Sequence, residues 1–526
     1  MSVWENVRTL VRWYASTMVK IKINNKEVEV AEGTTVLKAA LANKVDIPYF
    51  CYHPKLSISG NCRMCLVNIK GQNKPVISCR ERVREGMEVD TKSEEVKKMQ
   101  QGVLEFILVN HPLDCPICDQ SGECDLQDNY FKFSKFPSRL EDQKIHKPKV
   151  KSLGPLVTLD DERCIVCTRC VRFCDEVAGT HELCVTERGG HSELTTYPGK
   201  ELKNPYSLCT VDVCPVGALT STDFRFKKRV WFLKTTPSIC TGCATGCNIK
   251  MDWDDSVVYR YRPRENEAVN QCWMCDEGRL SYKFINDANR VFEPLLKKHG
   301  EFEEITWEGA LKHIADICYE NPKVHYIGVL SAQASCEENF TLHSFLKNVF
   351  PKAQFLTTKK EVPHPSHDEF LIDADKNPNS NFLELLEIKE ADDFAKEGIY
   401  FVLEHLTNAQ KEALIMAKPK MVVWLASNLG DVSLAGGTSP KLSPPLWADV
   451  ILPKPTFAEQ EGHFINRQKR LQKANKAFEP KGHARPVWMA LAELSRKLDK
   501  PLDWNSYPNV FKEMSQELKW ITQLQR

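Results

Sequence analysis

The stretch DERCIVCTRCVRFCDEVAGT, residues 161–180, decides how this chain is read. Cys164, Cys167 and Cys170 follow a C-x2-C-x2-C spacing, and Cys214-Pro215 stands farther along. Three thiolates from one tight turn plus a remote Cys-Pro is the way a four-iron cubane is held, whereas zinc sites seldom draw three cysteines from so short a run. Cys174 extends the pattern to C-x2-C-x2-C-x3-C, the form in which the last cysteine serves a second cluster. That cluster needs three more ligands, and only Cys184 and Cys209 are spare nearby. Cys174, Cys184 and Cys209 are therefore expected to be buried apolar cysteines.

Working outward, three more cysteine sets appear. The first is Cys51, Cys62, Cys65 and Cys79, spaced C-x10-C-x2-C-x13-C. A two-iron cluster takes four thiolates, three from one loop and one from a later strand, although the first gap is longer than the plant-type C-x4-C-x2-C. A structural zinc site fits the same residue types, and the order of hairpin, helix and loop around the set favours iron. The second is Cys115, Cys118 and Cys124, three thiolates where four ligands are wanted. A distant thiolate could complete it, or His111 could, whether around iron or in a zinc site of three cysteines and one histidine. The fourth is Cys240, Cys243 and Cys247, closed by Cys272 or Cys275, with a zinc ribbon as the alternative.

Composition bounds the rest. The chain has 526 residues, enough for several domains, and 71 Lys plus Arg balance 70 Asp plus Glu. No global field draws it to nucleic acid or to an acidic membrane surface, and no apolar run approaches the roughly 20 residues that span a bilayer. Nineteen of the 21 cysteines precede residue 276. In a long chain with no recognisable signal peptide, such close spacings favour metal ligation in a reducing compartment over disulfides. Residues 1–17 carry Arg8 and Arg12 among apolar residues, but Glu5 speaks against a transit peptide. They are expected to be a short extension, or a start upstream of Met18.

Val19–Val30 alternates on either side of Asn24-Asn25, which predicts a β-hairpin. Thr34 or Thr35 caps a helix that buries Val36, Leu37, Ala40 and Leu41. Strands are expected at Leu66–Ile69 and Pro75–Ser78. Ser93 begins a second helix with apolar face Val96, Met99, Val103, Phe106 and Ile107, which Pro112 stops so that His111 stands at its end. Residues 137–157, rich in Lys and Pro, look like a linker. Ile249–Asp252 and Val257–Arg262 read as strands within the fourth set. Beyond about residue 300, Ile305–Cys318, Val324–Leu330, Met421–Ala426 and Ala448–Leu452 alternate in an α/β pattern without a Gly-rich phosphate loop.

Residues 18 to about 290 resemble the family of the large iron–sulfur subunit of respiratory complex I, the NADH-quinone oxidoreductase. The resemblance is carried by CYHPKLSISGNCRMCLV (51–67), NHPLDCPICDQSGECDLQD (110–128), DERCIVCTRCVRFCDEVAGT (161–180) and VDVCPVGALTS (211–221). SAQASCEENF (331–340) and ADVILPKPTFAEQEGHFINRQKRLQ (448–472) match more weakly, and resemble the family's degenerate molybdopterin-oxidoreductase domain. The resemblance implies a multidomain α+β chain. After the 1–17 extension come a β-grasp, ferredoxin-like two-iron domain at 18–95, a four-iron domain with one histidine and three cysteine ligands at 96–136, and a ferredoxin-like four-iron domain at 137–232. A molybdopterin-oxidoreductase-type four-iron domain at 233–289 and the degenerate α/β domain at 290–526 complete it.

The same resemblance implies one 2Fe-2S cluster on Cys51, Cys62, Cys65 and Cys79. It implies three 4Fe-4S clusters, on His111, Cys115, Cys118 and Cys124, on Cys164, Cys167, Cys170 and Cys214, and on Cys240, Cys243, Cys247 and Cys275 rather than Cys272. No molybdenum cofactor is expected, since Glu277 stands where related molybdenum enzymes commonly carry a lysine. The implied partners are the NADH/FMN-binding subunit and the quinone-side hydrophilic subunits, with neither nucleic acid nor a direct membrane span. The implied place is peripheral, on the cytoplasmic face of a bacterial inner membrane. The chain would relay electrons and make no substrate bond alone. Rival readings are an iron–sulfur subunit of an NAD-reducing hydrogenase, a molybdopterin formate dehydrogenase, and a zinc-stabilised interaction protein.

Overall fold

The computed structural model describes residues 17–134, 137–388, 394–430, 445 and 447–524, so all of the expected extension except Thr17 lies outside the described residues. The chain divides into two compact units, Met1–Trp231 and Phe232–Arg526.

The first unit opens with the expected hairpin. Strands β1 (Met18–Ile23) and β2 (Lys26–Ala31) pair antiparallel, and Asn24 and Asn25 both take positive φ, the tight two-residue turn that Asn tolerates. Thr35 caps helix α1 (Val36–Ala42), its hydroxyl accepting from the Lys38 N–H. The helix buries Val36, Leu37, Ala39 and Ala40, while Leu41 is only half-buried. With β3 (Leu66–Ile69), β4 (Val76–Ile77) and β5 (Glu88–Asp90) the sheet order is β2-β1-β5-β3-β4, β1 and β5 running parallel. Alternate residues Val19, Ile21 and Ile23 face α1 in a core that also contains Cys65 and Cys79.

Helix α2 (Glu94–Leu108) begins at Ser93 as expected, with Glu94 and Glu95 in the first turn. Its packed face differs from the expected one. Val96, Gln100 and Leu104 are buried, because Gln100 donates to the Leu66 carbonyl (3.0 Å) and fixes the helix rotation. Met99, Val103 and Ile107 flank that line half-buried, and Phe106 is 82% exposed. The helix stops at Leu108, the residue whose carbonyl the missing N–H of Pro112 would have bonded had the helix run on. Its last carbonyls, Leu108 and Val109, accept from the Lys144 ammonium at 2.9 and 2.7 Å. The expected linker is tied by ion pairs while none of its residues 137–150 is buried: Arg139 pairs with Glu105, Lys149 with Asp114, and residues 151–152 and 157–159 already belong to a small sheet.

That sheet comprises β6 (Lys151–Ser152), β7 (Val157–Leu159) and β10 (Leu219–Ser221), and a separate hairpin pairs β8 (Leu183–Thr186) with β9 (Glu193–Thr196). Around them stand α3 (Asp125–Phe133), α4 (Arg169–Glu176) and α5 (Cys209–Val213). Cys174 and Cys209 are buried as expected, whereas Cys184 is only half-buried because it sits in the outer hairpin opposite Thr195.

In the second unit, β11 (Lys234–Ile239), β12 (Asn248–Asp254) and β13 (Val257–Pro263) form an antiparallel sheet that carries the fourth cysteine set. Beyond it lies a seven-stranded sheet ordered β15-β14-β20-β19-β18-β16-β17, with β17 at Gln354–Thr358 and β20 at Val450–Pro453, in which β16 to β20 run parallel. Strands β16 (Tyr326–Ser331), β18 (Ile399–Leu403) and β19 (Met421–Ala426) are buried along their whole length, as a sheet covered on both faces requires. Alternation sorts them: Phe401, Val423 and Leu425 enter one core and Tyr400, Val402, Val422 and Trp424 the other. Antiparallel β14 (Leu295–Lys298) and β15 (Glu301–Glu304) close one edge.

Candidate metal centres

Each tight cysteine loop is shaped by residues in the left-handed region: Arg63 between Cys62 and Cys65, Val166 and Thr168 between the cysteines of the third set, and Gly246 just before Cys247. A positive φ at β-branched Val166 is strained, of order 1–3 kcal/mol, and persists only where surroundings demand it. What it achieves is local: the Val166 N–H points back at the Cys164 sulfur, 3.4 Å away. The same N–H to sulfur contact recurs from Cys51 to Cys62, Gly242 to Cys240 and Gly278 to Cys275, at 3.3–3.4 Å. Backbone donors aimed at sulfur stabilise thiolates.

In the first set, Cys51, Cys65 and Cys79 are buried and Cys62 half-buried. The Cys51 and Cys62 thiols hydrogen-bond each other, as do those of Cys65 and Cys79, and Cys79 feels the charge of the other three. Within each pair one sulfur is drawn toward the thiolate by its partner. The four are gathered at the edge of the β-grasp core.

In the third set Cys167 and Cys170 are buried and Cys164 and Cys214 half-buried. Cys164, Cys167, Cys170 and Cys214 line one cavity, walled otherwise by apolar side chains including Ile165, Val185, Leu194 and Leu219. Burial pushes the thiols up, Cys167 to about 11, so four thiolates there require a positive partner. Iron supplies that charge, and a cavity ringed by four sulfurs fits an iron–sulfur group.

In the second set, Cys115 is exposed, Cys118 buried, and Cys124 half-buried at the start of α3. His111 lies just past α2, its N–H bonded to the Leu108 carbonyl. Burial, with Lys144 and Arg163 beside it, pushes the imidazole down to about 4, so it is neutral and able to ligate. Arg163 acts on both His111 and Cys118, and Cys118 neighbours Cys115 and Cys124. The second and third sets also touch. The Cys124 sulfur and the Asp125 N–H both meet the Pro215 carbonyl, and a Cβ added at Gly217 would collide with the Cys118 sulfur. Glycine at 217 is the cradle that lets this sulfur sit there.

In the fourth set, Cys240, Cys243, Cys247 and Cys275 are buried, and Cys275 neighbours Cys240, Cys243 and Cys247. Cys272 is half-exposed. Gly278 repeats the cradle, since a Cβ there would lie 3.0 Å from the Cys240 sulfur and 3.2 Å from that of Cys275. Glu277 pairs with Lys376 (2.9 Å) and accepts from Ser366. A cavity of about 100 Å³ adjoins Gly242, and two of its three lysines are paired: Lys376 with Glu277, and Lys454 with Glu338 and Glu404.

Comparison with known proteins follows this order of sites. Residues 16–94 match the 2Fe-2S iron-sulfur cluster binding domain, 100–134 the NADH-ubiquinone oxidoreductase-G iron-sulfur binding region, and 154–220 the NADH-quinone oxidoreductase subunit 3, ferredoxin-like domain. Residues 233–287 match the molybdopterin oxidoreductase Fe4S4 domain and 445–497 molybdopterin oxidoreductase. The NADH-quinone oxidoreductase G subunit of Rickettsia bellii is 43% identical over 332 residues, 63% of this chain. Over those residues the chain is homologous to the G subunit. The NADH-ubiquinone oxidoreductase 75 kDa subunit of Reclinomonas americana is 44% identical over 60% of the chain, and the 78 kDa subunit of Neurospora crassa 36% identical over 80%. The chain spans about half the length of these relatives, 48%, 46% and 55% respectively. A solved NAD+-reducing [NiFe]-hydrogenase chain is 28% identical, with 40% of this chain and 91% of that one covered, but its TM-score of 0.37 carries no argument.

Sequence reasoning missed the residues between the sets. Lys144, Arg163, Arg169 and Arg172 make their contacts across 35 to 121 positions, and no local spacing announces them. The two C-terminal words meet each other. Glu338 of SAQASCEENF completes a capping box with Ser335 and accepts from Lys454 and Gln460, and Glu337 accepts from the His463 N–H. They hold helix Cys336–Val349 to strand Gly462–Ile465, which is a structural role.

Proposed function

We propose that the chain is an electron-relay subunit of a complex I-type NADH:quinone oxidoreductase, placed between an NADH/FMN-binding subunit and quinone-side hydrophilic subunits. The observation that carries this is the ordered succession of ligand sets in a chain homologous to the G subunit, with the four sulfurs of the third set lining one cavity. The proposed ligands are Cys51, Cys62, Cys65 and Cys79 for a two-iron cluster. For three four-iron clusters they are His111, Cys115, Cys118 and Cys124; Cys164, Cys167, Cys170 and Cys214; and Cys240, Cys243, Cys247 and Cys275. Bound clusters would supply one-electron acceptance and release with little rearrangement. The chain's own residues set ligand type, burial and N–H contacts to sulfur, and apolar side chains wall the third set.

No described helix is long and apolar enough to cross a membrane. The place proposed is peripheral, on the cytoplasmic face of a bacterial inner membrane, as part of a membrane complex. The Glu277–Lys376 pair, with Lys454 held by Glu338 and Glu404 in the adjoining cavity, supports a site that takes no molybdenum cofactor.

The test is purification of the full chain with iron, sulfide and zinc counts and EPR. Iron and acid-labile sulfide for one two-iron and three four-iron clusters are expected, whereas a colourless protein containing zinc would defeat the proposal. His111→Ala is expected to disturb the second-set signal and leave the others. His111→Cys replaces a neutral ligand by an anionic one, so that cluster's potential should fall. An unchanged spectrum and potential would remove His111 from the ligand set.

A further inference from the structure

Helix α4 carries Cys170, and its first residue, Arg169, is buried, only 6% exposed, at a point where three ligand sets converge. Its guanidinium donates through Nη2 to the Tyr52 carbonyl at 2.6 Å and through Nη1 to the Val213 carbonyl at 3.2 Å. Nη1 also stands 3.8 Å from the Asp125 carboxylate. Tyr52 follows Cys51, Val213 precedes Cys214, and Asp125 follows Cys124, so each contact is one residue from a ligand of a different set. The ring of Tyr49, itself edge-on to Tyr52, lies 6.0 Å from the guanidinium carbon.

The charge balance is unusual. A buried cation is costly unless paired at close range, by several kcal/mol per ion. The carboxylate paired with Arg169 is beyond hydrogen-bonding distance and half exposed, and the Nε–H of Arg169 has no hydrogen-bond partner among the described residues. Beyond the two carbonyls it faces thiols: the guanidinium acts on Cys167 and on Cys214. Its natural counter-charge is thiolate-ligated and negative. One turn on, Arg172 repeats the bridge, with Nη2 donating to the Cys51 carbonyl (2.6 Å) and the Cys167 carbonyl (3.4 Å).

We infer that Arg169 is a positioning residue for electron relay: it ties the first, second and third ligand sets at fixed spacing, and its buried positive charge holds up the reduction potential at the third. A lysine can replace the charge but not the two-directional fork, which needs separate N–H groups in one plane. A cation beside a cluster favours its reduced, more negative form, and net charge and hydrogen bonding are among the factors that set such potentials.

This rests on the function proposed above, and one experiment separates the two. The cluster-loaded full chain, as wild type, Arg169→Met and Arg169→Lys, is titrated by EPR, with iron and sulfide counts and pulsed EPR distances between the first and third sets. Arg169→Met is expected to lower the third-set midpoint potential most and the others less, at unchanged iron content. Full content with unshifted potentials would overturn the inference. If Arg169→Met fails to hold its third cluster, Arg169→Lys decides. It should keep the third-set potential near wild type while the distance distribution broadens, and a distribution as narrow as wild type would overturn the tie. A wild-type chain without iron or sulfide would defeat the function itself.

Discussion

The β-grasp module at 18–90 and the segment at 101–150 both carry a cysteine set, but they are built on opposite principles. The module has a core of its own, in which Ile21, Ile23, Val36, Leu37, Val67 and Val89 pack between sheet and helix, and Cys65 and Cys79 are simply members of it. Among the described residues of 101–150, only Leu104, Cys118, Asp119 and Leu126 are buried. That segment is held by charge and backbone: Lys144 on the end of α2, Arg163 and Lys149 on Asp114, and Arg229 on the carbonyls of Pro116 and Cys118. The exposed Arg139–Glu105 and Lys149–Asp114 pairs are each worth about 0–1 kcal/mol, whereas the Arg163–Asp114 pair is largely buried. A bound group is thus an accessory to one region and the organising centre of the other.

Removing the clusters should break the two regions apart. After reduction and chelation, amide exchange in 101–150 is expected to rise at least about a hundredfold, the ratio that ~2.7 kcal/mol of lost binding free energy gives. Amides of β1, β2 and β3 should keep most of their protection, because Ile21, Ile23, Val36, Leu37 and Val67 pack between sheet and helix whether or not Cys65 and Cys79 hold metal. Equal loss in both regions, read by hydrogen-exchange mass spectrometry, would end the distinction.

A smaller and more local effect is expected from Gly217→Ala. The residue follows Cys214 of the third set, yet its added Cβ would collide with the sulfur of Cys118 in the second. Such an overlap forces something to move, and the loop around Cys118 has little packing to resist. The second-set EPR signal should weaken or broaden while the third-set signal persists. Loss of the third signal instead would mean that the Pro215–Gly217 turn serves only its own cysteine.

These contrasts mark what the sequence could express. The hairpin, the capped helices, the alternating strands of the C-terminal sheet and the cysteine sets all follow from neighbours within a few residues, where period and spacing act directly. Arg169 bonds to a carbonyl 117 positions away, and Lys144 to one 35 away. Nothing in TRC or in a Lys-Pro-rich run distinguishes a bridging cation from a solvated one. The face of α2 escapes local reading for the same reason. Hydrophobic periodicity selects Phe106, whereas a polar residue, Gln100, sets the rotation by bonding to a strand 34 positions back.

That rotation gives the finest test, on two residues of one helix. Leu104 is fully buried and Phe106 is 82% exposed. Leu104→Ala removes packed atoms and should cost about 2–5 kcal/mol, read as increased exchange across α2 and its contacts with β3. Phe106→Ser removes a larger side chain from water-facing surface and should stay within about 0.5 kcal/mol. By apolar periodicity alone Phe106 lies on the packed face, and its loss would cost at least as much as that of Leu104. A large penalty at Phe106 in the isolated chain would therefore return α2 to the orientation that periodicity favours and take the Gln100 bond out of the account.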